Sequence, residues 1–254
     1  MVQYSAIPSS NTPFIELLQV DSTNNYAMQL VQNGEAMHGT AVFTGFQTAG
    51  KGQRGKQWHG AQGENIALSV LLNTSALGIS QQFALSAAVA LSAHAFFTKY
   101  CVSDASVKWP NDIYWRDRKA GGILIENVIR GQEWQWAIVG IGLNINQANF
   151  DSASGRPVSL KQITGKQFNV TELAKELASV VINGFDEVQQ VPFAQLLERY
   201  NNVLFKKGER VKLKKDNVAF ECIIEKVNTS GELEISGAPY GPFAFGEVEW
   251  VIGM

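Results

Sequence analysis

The sequence predicts an α+β fold in which a mixed, largely antiparallel sheet carries helices on one face. Four strand-like segments follow one another through short turns between residues 105 and 146, and strands joined by tight turns pair antiparallel. Helical patterns cluster outside that run, as in α+β proteins. After Phe205, short strand-like segments with glycine turns indicate a small β-barrel. We therefore expect one domain over residues 1–205 and a second over 206–254.

The first predicted elements follow from residue type. The run Asp21–Asn24 supplies side-chain oxygens that cap a helix N-terminus, so a helix is expected from Asn24 to Gln32, ended by Asn33 and Gly34. β-Branched and aromatic residues predict a strand over Thr40–Phe46, and another over Asn65–Leu72. A long helix, apolar on much of its surface, is expected at Gln81–Tyr100 and should enter the core.

The remaining elements follow in order along the chain. Consecutive strands are predicted at Ser106–Trp109, Asp112–Trp115, Gly121–Ile129 and Trp134–Ile145. Helical spacing of apolar residues predicts helices at Thr171–Val188 and Phe193–Asn201. The C-terminal strands are predicted at Arg210–Leu213, Ala219–Val227, Glu232–Ile235 and Phe243–Ile252.

Composition excludes several classes of protein. The 254 residues contain 21 Lys and Arg against 23 Asp and Glu, a net charge of −2, which argues against a globally basic nucleic-acid binder and an acidic disordered chain. Neither the two cysteines nor the three histidines have the spacing of a disulfide framework or a metal site. With no signal peptide and no apolar run of the ~20 residues that a membrane span needs, we expect a cytoplasmic protein.

Residues 50–58 form a glycine-rich loop that matches two phosphate-binding patterns imperfectly. Gly50-Lys51-Gly52-Gln53-Arg54-Gly55 fits G-x-G-x-x-G, but no helix begins inside it, as a dinucleotide fold requires. Gly45 to Lys51 fits G-x-x-x-x-G-K, but Gly52 stands where a Ser or Thr must hold magnesium. The alternatives that remain are a solvated loop and an anion-binding loop, in which glycine amides and the cations surround an anion and Trp58 stacks on a base.

Three further clusters follow this loop. Lys108-Trp109-Pro110-Asn111-Asp112 ends a strand, Lys119-Ala120-Gly121-Gly122-Ile123-Leu124-Ile125-Glu126 begins one, and Gly140-Ile141-Gly142-Leu143-Asn144-Ile145-Asn146 places glycines inside one. Each alone is compatible with an ordinary turn or strand. Glycine in a strand interior, however, often marks close approach of a ligand or another group to the backbone.

In this order, the four clusters resemble those of the biotin–protein ligases, and the resemblance continues more weakly to the C-terminus, where it implies an SH3-like domain. It implies a two-step reaction in which ATP and magnesium convert biotin to biotinyl-5′-AMP, and a lysine of a biotin carboxyl carrier domain then displaces AMP. It also implies a partner, the carrier domain of a carboxylase; from the charge balance and the lack of a long apolar run, neither DNA nor a membrane is expected as a further partner. Whether the protein is a monomer or a homodimer stays open.

The resemblance also implies roles for individual residues. Ser22, Thr23, Asn24 and Gln47 would surround the biotin head, and the backbone over Gly50, Lys51, Gly52 and Gln53 would follow the biotin tail. Lys119 would contact the carboxylate and α-phosphate, and together with Lys51 and Arg54 would supply the catalytic positive charge. Arg54, Lys56, Trp58, Asn111 and Asn144 would bind ATP, the two asparagines near the nucleotide and metal. No protein metal-ligand cluster is predicted.

The sequence departs from the family pattern in two places. Lys51, Gln53 and Lys56 stand where arginine is usual; lysine keeps the charge but loses the bidentate geometry, and glutamine loses the charge. Retention of the adenylate is therefore the least secure part of the resemblance. In addition, only about twenty residues precede the Asp21 motif, so we expect no helix-turn-helix repressor domain.

Other functions are also compatible with the sequence. A lipoate or octanoate ligase shares the fold class, but its R-R-x-S-G-G-G type signature is missing. A non-enzymatic biotin-binding protein fits the same motifs. A nucleic-acid-binding module would use the six cations in residues 206–215, but from Lys206 onward seven cations face eight acids, so a charged strand face is expected instead.

Overall fold

We describe the protein from a computed structural model, which describes residues 2–6, 12–101, 103–151 and 156–251. The strands are β1 (Val2–Ala6), β2 (Pro13–Leu17), β3 (Ala41–Thr44), β4 (Asn65–Asn73), β5 (Ala105–Lys108), β6 (Asp112–Trp115), β7 (Arg118–Arg130), β8 (Glu133–Asn144), β9 (Arg210–Lys215), β10 (Val218–Val227), β11 (Leu233–Ser236) and β12 (Glu249–Trp250). The helices are α1 (Thr23–Gln32), α2 (Gln82–Cys101), α3 (Leu160–Thr164), α4 (Val170–Gln190) and α5 (Phe193–Asn202).

Eight strands form the main sheet, in the order β1-β2-β3-β4-β8-β7-β6-β5. Neighbouring strands pair antiparallel, except that β2 runs parallel to β3, with Phe14 opposite Ala41. The predicted mixed, largely antiparallel sheet is confirmed. The four strands from β5 to β8 follow one another through tight turns, as the spacing of the sequence indicates.

The helices lie on both faces of this sheet. α2, α4 and α5 bury their apolar sides in one large cluster with alternate residues of β4 and β8, among them Leu68 and Val139. The residues between these point to the other face, where Leu71 and Ile138 pack with Ala27 of α1. The α+β class is confirmed, but α1 departs from the expected single helical face, because the two-residue alternation of a strand leaves apolar residues on both sides to be buried.

Two strands at the sheet edge and one near the C-terminus differ from the predicted elements. Neither β1 nor β2 was predicted from the sequence. In β2, Phe14, Ile15 and Leu17 are buried and lie on both faces, so the strand shows no alternation of apolar and polar residues. The predicted strand Phe243–Ile252 is largely wrong: within the described residues of this range only β12 is a strand, Phe243 forms an isolated bridge with Leu233, and Ile252 lies outside the described residues. The glycines at 241 and 246 adopt positive φ and turn the chain instead.

β9 to β12 form a second sheet, in the order β11-β10-β9-β12. Its buried residues, such as Leu213 and Ile224, belong to the same hydrophobic cluster as the main core. Buried Asn201 at the end of α5 exchanges two hydrogen bonds with the backbone of Val227, and Trp109 donates its indole N–H to the Gly231 carbonyl at 2.9 Å. The second sheet is therefore held against the first by polar and apolar contacts.

In the described part of the chain, no helix has both the length and the apolar composition to cross a membrane.

Two partly buried histidines predict a loss of stability in mild acid. Burial lowers the pKa of His38 and of His94 below the ordinary 6.5, and His38 Nδ1 accepts the Asn73 N–H at 3.1 Å. Below pH 6.5 the unfolded chain therefore binds more protons than the folded one, so the free energy of unfolding should fall as the pH drops. Urea titrations give the free energy of unfolding at pH 7.5 and at pH 5.5. We expect the difference between these two free energies to be smaller in the His38→Gln/His94→Gln variant than in the wild type.

The exposed His59 offers a matched control. The His59→Gln variant should keep the wild-type difference in the free energy of unfolding between the two pH values. An unchanged pH dependence in the double variant would contradict the assignment.

Candidate functional site

A cavity of about 650 Å³ opens on the α1 face of the sheet. Four parts of the chain enclose it: the start of α1, the glycine-rich loop, the turn between β5 and β6, and residues 245–250 before and within β12. The size is that of a typical site for a small ligand. The cavity thus brings together all four motifs, two of them in the loop and the turn that enclose it and the other two on the central strands β7 and β8.

The floor of the cavity is nearly free of side chains. Ala67 of β4, Gly142 of β8 and Gly122 of β7 lie opposite one another across the sheet, and the next row is Ser69, Gly140 and Leu124. A Cβ at Gly142 would overlap the Trp58 indole, and one at Gly140 would overlap the Asn24 amide. The glycines inside β8 are required because these two side chains rest on the strand backbone.

One end of the cavity is lined by buried, uncharged polar groups. Ser22, Thr23 and Asn24 are each at most 3% exposed at the start of α1. Ser22 makes no side-chain cap; instead the Thr23 N–H, free at the helix start, donates to Gln47 Oε1 at 2.8 Å. Serine and threonine were expected here as capping residues, but their side chains face the cavity wall.

The glycine-rich loop folds back on itself as a short hairpin. Lys51 pairs with Gln57, and Gly52 N–H donates to Lys56 O at 2.7 Å around a single 3₁₀ turn. Arg54 at its tip has φ +56°, in the left-handed region. Glycine is needed at position 50 because a Cβ there would overlap the Trp58 carbonyl.

The cations of the loop and of β7 bind specific acceptors. Lys51 pairs with Glu126 at 3.2 Å, and Lys119 pairs with Asp112 at 2.7 Å. Arg54 donates to the Gly246 carbonyl at 3.0 Å, so the loop tip contacts the C-terminal part of the chain. Both acidic partners leave their lysines partly exposed to the cavity.

Lys108 lines this cavity, although the sequence alone assigns it no specific role. Its ammonium group lies over the rings of Tyr114, at 4.8 Å, and Trp250, at 5.5 Å, and donates to the Tyr114 hydroxyl at 3.2 Å. Burial, with Lys119 and Lys56 nearby, lowers its pKa to about 8, although Asp112 opposes the shift. The signal was its place in the Lys108–Asp112 motif at a strand end, where a ligand phosphate could be met, although only Asn111 of that motif was given a binding role.

The structure brings together most of the predicted site residues. Those that line the cavity are Ser22, Thr23, Asn24, Gln47, Lys51, Gly52, Gln53, Arg54, Lys56, Trp58, Asn111 and Lys119. Gly50 and Asn144 lie outside the lining. The Asn144 side chain is buried and donates to the Val158 carbonyl at 3.2 Å. The amide of Asn111 is likewise committed, to the Ile123 carbonyl at 2.5 Å.

The C-terminal wall of the cavity was not predicted. Phe245 packs edge-on against Trp109 at 6.2 Å, and Val248, Glu249 and Trp250 continue the wall. These residues follow the glycine-rich loop by nearly 190 positions, and no local pattern marks them. Within the described residues, no three His, Cys, Asp or Glu side chains come close enough to hold a metal ion by themselves.

Comparison with known proteins agrees with this geometry. A model of the Biotin/lipoate A/B protein ligase family matches residues 17–144, half of the chain. The chain belongs to this family. Its relatives include the bifunctional ligase/repressor BirA of Escherichia coli, 35% identical over 129 residues, and a biotin–[acetyl-CoA-carboxylase] ligase of Paracoccus denitrificans, 27% identical over 226 residues.

The extent of these matches differs. The aligned segment covers 51% of this chain but only 39% of the E. coli relative, against 87% of this chain and 93% of the Paracoccus one. Among solved structures, the biotin protein ligase of Aquifex aeolicus in complex with biotin and ATP is similar in fold, with a TM-score of 0.73, 24% identity, and coverage of 94% of this chain and 95% of that one.

The bare floor predicts that Gly142 cannot be replaced by alanine without moving Trp58. We expect Gly142→Ala to lower the free energy of unfolding by about 1–3 kcal/mol, the usual cost of overpacking, and to shift the tryptophan emission as the indole leaves the strand. Urea titration and fluorescence measure both. Gly78→Ala is the matched control, because its Cβ would lie 3.6 Å from its nearest neighbour, and it should change stability by less than ~0.5 kcal/mol. Equal stabilities for the two variants would contradict the packing of Trp58 on β8.

Proposed function

We propose that this protein is a biotin–protein ligase, which converts biotin and ATP to biotinyl-5′-AMP and transfers the biotinyl group to a lysine of a biotin carboxyl carrier domain. One observation carries the proposal. A single cavity combines buried, uncharged donors and acceptors at Thr23 and Asn24 with Lys108 and Lys119, which lie near Asp112. A molecule with a polar neutral head and an anionic tail fits that polarity.

The neutral end suits the ureido ring of biotin. This ring has two N–H donors and one carbonyl acceptor, and Ser22, Thr23, Asn24 and Gln47 provide hydroxyl and amide partners for them. Lipoate, the other substrate in the family's name, has a dithiolane ring with no N–H donor and no carbonyl acceptor, so it would leave unused the hydrogen-bonding capacity that these groups keep beyond their bonds to one another. The pocket therefore favours biotin over lipoate.

In the first step, we assign the charge stabilisation to Lys119, Lys51 and Arg54. A biotin carboxylate oxygen attacks the α-phosphorus of ATP, a new P–O bond forms, and the bond to the bridging oxygen breaks as pyrophosphate leaves. Such transfers depend mainly on positioning and on stabilising negative charge. The position of Lys119 supports this role. Asp112 Oδ1 lies 2.7 Å from Lys119 Nζ and so holds the ammonium group in the lining of the cavity.

The loop and the turn after β5 would then hold the nucleotide. We propose that the backbone of Gly50–Gln53 follows the biotin tail, that Trp58 and Lys56 contact the nucleotide, and that Asn111 and Asn144 shape its surroundings through the backbone bonds described above. In the second step, the neutral amine of the acceptor lysine attacks the acyl carbon, an amide forms, AMP leaves with the electrons of the acyl–oxygen bond, and the amine loses a proton.

Magnesium fits this site as an ion that enters with the phosphates. Mg²⁺ in such sites is held by one or two carboxylates, water and substrate phosphates, and Asp112 is a carboxylate of the lining close to Lys119. When bound, the ion would neutralise phosphate charge. Asp112, which pairs with Lys119 through Oδ1, would hold it.

We propose the same division of the chain as the sequence predicts, with a catalytic part over residues 1–205 and an SH3-like part over 206–254. The second sheet and its order β11-β10-β9-β12 support the division. The shared core and the wall formed by residues 245–250 argue that both parts are needed for the site. The acceptor would be a carrier domain, and the ligase would act as a monomer or a homodimer.

The proposal predicts ATP-dependent biotinylation of a carrier domain. Purified protein with biotin, Mg·ATP and a biotin carboxyl carrier domain should release pyrophosphate and add one biotinyl group to the carrier, measured by a coupled assay and intact mass. Lipoate in place of biotin should give no carrier product. Pyrophosphate without carrier modification would leave only the first step, and failure of both would contradict the function.

Variants of the cations serve as controls for this assay. Lys119→Ala and Arg54→Ala should slow pyrophosphate release by ~100-fold, the usual loss when one charge-stabilising group is removed. Lys99→Ala, which removes an exposed lysine paired with Glu176, should keep the wild-type rate.

The lowered pKa of Lys108 predicts a pH-dependent affinity for ATP. Its charge is lost as the pH rises through about 8, because burial and the charges of Lys119 and Lys56 outweigh Asp112, while Tyr114 is a neutral partner. The dissociation constant of ATP should therefore rise roughly tenfold between pH 7 and 9, measured by calorimetry. Lys108→Met should bind more weakly at pH 7 and lose most of this rise; parallel curves for the two proteins would contradict the assignment.

A further inference from the structure

Glu126 lies beside the cavity and binds two of its residues at once. It sits on β7 opposite Ile138, with 29% of its side chain exposed. One carboxylate oxygen accepts from Asn24 Nδ2 at 2.7 Å, and the other accepts from Lys51 Nζ at 3.2 Å. Glu126 is not part of the cavity lining, so any effect it has on a ligand must pass through these neighbours.

A chain of short hydrogen bonds runs from Glu126 into the pocket. Asn24 Oδ1 lies 2.6 Å from Ser69 Oγ, and Ser69 Oγ lies 2.7 Å from Thr23 Oγ1. Ser69 is fully buried and Thr23 nearly so. Each of these contacts needs one proton between its two heavy atoms, so the direction of one bond restricts the next.

The carboxylate sets these directions, because it can only accept and is much closer to Asn24 Nδ2 than the other acceptor there, the Leu124 carbonyl at 3.5 Å. Asn24 must turn its NH₂ group to Glu126 and therefore its oxygen to Ser69. That oxygen carries no proton, so Ser69 donates its single proton to it. The 2.7 Å contact between Ser69 and Thr23 then needs the proton of Thr23.

The result is that Thr23 has a lone pair and no proton left for a ligand. Its other neighbour, Gln47 Oε1, is farther away at 3.2 Å and already accepts the Thr23 backbone N–H at 2.8 Å. A pocket in this state accepts a hydrogen bond at Thr23. A ureido N–H is a donor of the kind that this position requires.

We propose that Glu126 is a positioning residue, which fixes the direction of the Glu126–Asn24–Ser69–Thr23 chain so that Thr23 accepts an N–H of the ligand head. The inference rests on the proposed function, since it takes biotin as the ligand. Lys51 occupies the second oxygen of Glu126 and so leaves one oxygen for Asn24. The assignment makes the acceptor character of position 126, rather than its size, the property that binding depends on.

Glu126→Gln tests the assignment with little change in shape. Glutamine has one oxygen for two donors, so Lys51 takes it, the glutamine NH₂ turns to Asn24, and the chain can reverse. We expect the dissociation constant of biotin, by calorimetry, to rise about tenfold or more, while the KM of ATP changes less than twofold. Glu126→Asp keeps an acceptor-only group and should bind biotin more tightly than Glu126→Gln does.

Glu176→Gln is the matched control. Glu176 is also paired with a lysine, Lys99, at 2.9 Å, but on α4 and away from the cavity, so this variant should bind biotin as the wild type does. A double-mutant cycle with Ser69→Ala measures the coupling. Once Ser69→Ala has interrupted the hydrogen-bond chain, Glu126→Gln should cause almost no further loss of biotin affinity.

The possible outcomes distinguish this inference from the function on which it rests. If the wild type binds no biotin, the proposed function fails. If the wild type binds biotin and Glu126→Gln binds within twofold of it, the positioning role is overturned. Independent, additive effects of Glu126→Gln and Ser69→Ala, or an aspartate variant weaker than the glutamine one, also overturn it. Circular dichroism melting checks that each variant is folded.

Discussion

Trp58 and Asn24 rest directly on the backbone of β8, and the cavity exists because β8 has glycine at both points of contact. Side chains at positions 140 and 142 would fill the face of the sheet on which the ligand is proposed to lie. On the other face of the same strand, Val139 and Ile141 pack into the main hydrophobic core. Alternate residues of β8 therefore serve the site and the core. One face stabilises the fold by burial, and on the other the glycines leave room for Trp58 and Asn24.

The cationic side chains around the cavity are held in position by neighbouring acceptors. Asp112 fixes Lys119, Glu126 fixes Lys51, and a backbone carbonyl of the C-terminal segment fixes Arg54. These contacts limit the motion of long, flexible side chains, which reduces the entropy that ordering them on a ligand would cost. Preorganised charge of this kind is what phosphoryl transfer requires of a protein.

Much of the fold could be predicted because it depends on local patterns. The helix α2 is apolar over most of its surface, and the strands β5 to β8 are separated by short turns, so each could be recognised from its own residues. β2 could not, since Phe14 packs into the main core while Ile15 and Leu17 pack with α1 on the other face, so the strand shows no alternation. The position of α1 on the second face was also beyond local pattern, because a strand's alternation does not say which helix will cover which side.

For the site, the sequence by itself determined the chemistry that is available: neutral hydroxyl and amide groups at 22–24, glycine and cations at 50–56, and Lys119 before two glycines. Residue type is a covalent property, so it needs no fold to be known. Only the tertiary structure decided that Lys108 is desolvated beneath Trp250, that Asn144 binds backbone outside the cavity, and which way the hydrogen bonds from Glu126 run. Desolvation and hydrogen-bond direction depend on neighbours far away in the chain, and these come together only when the protein folds.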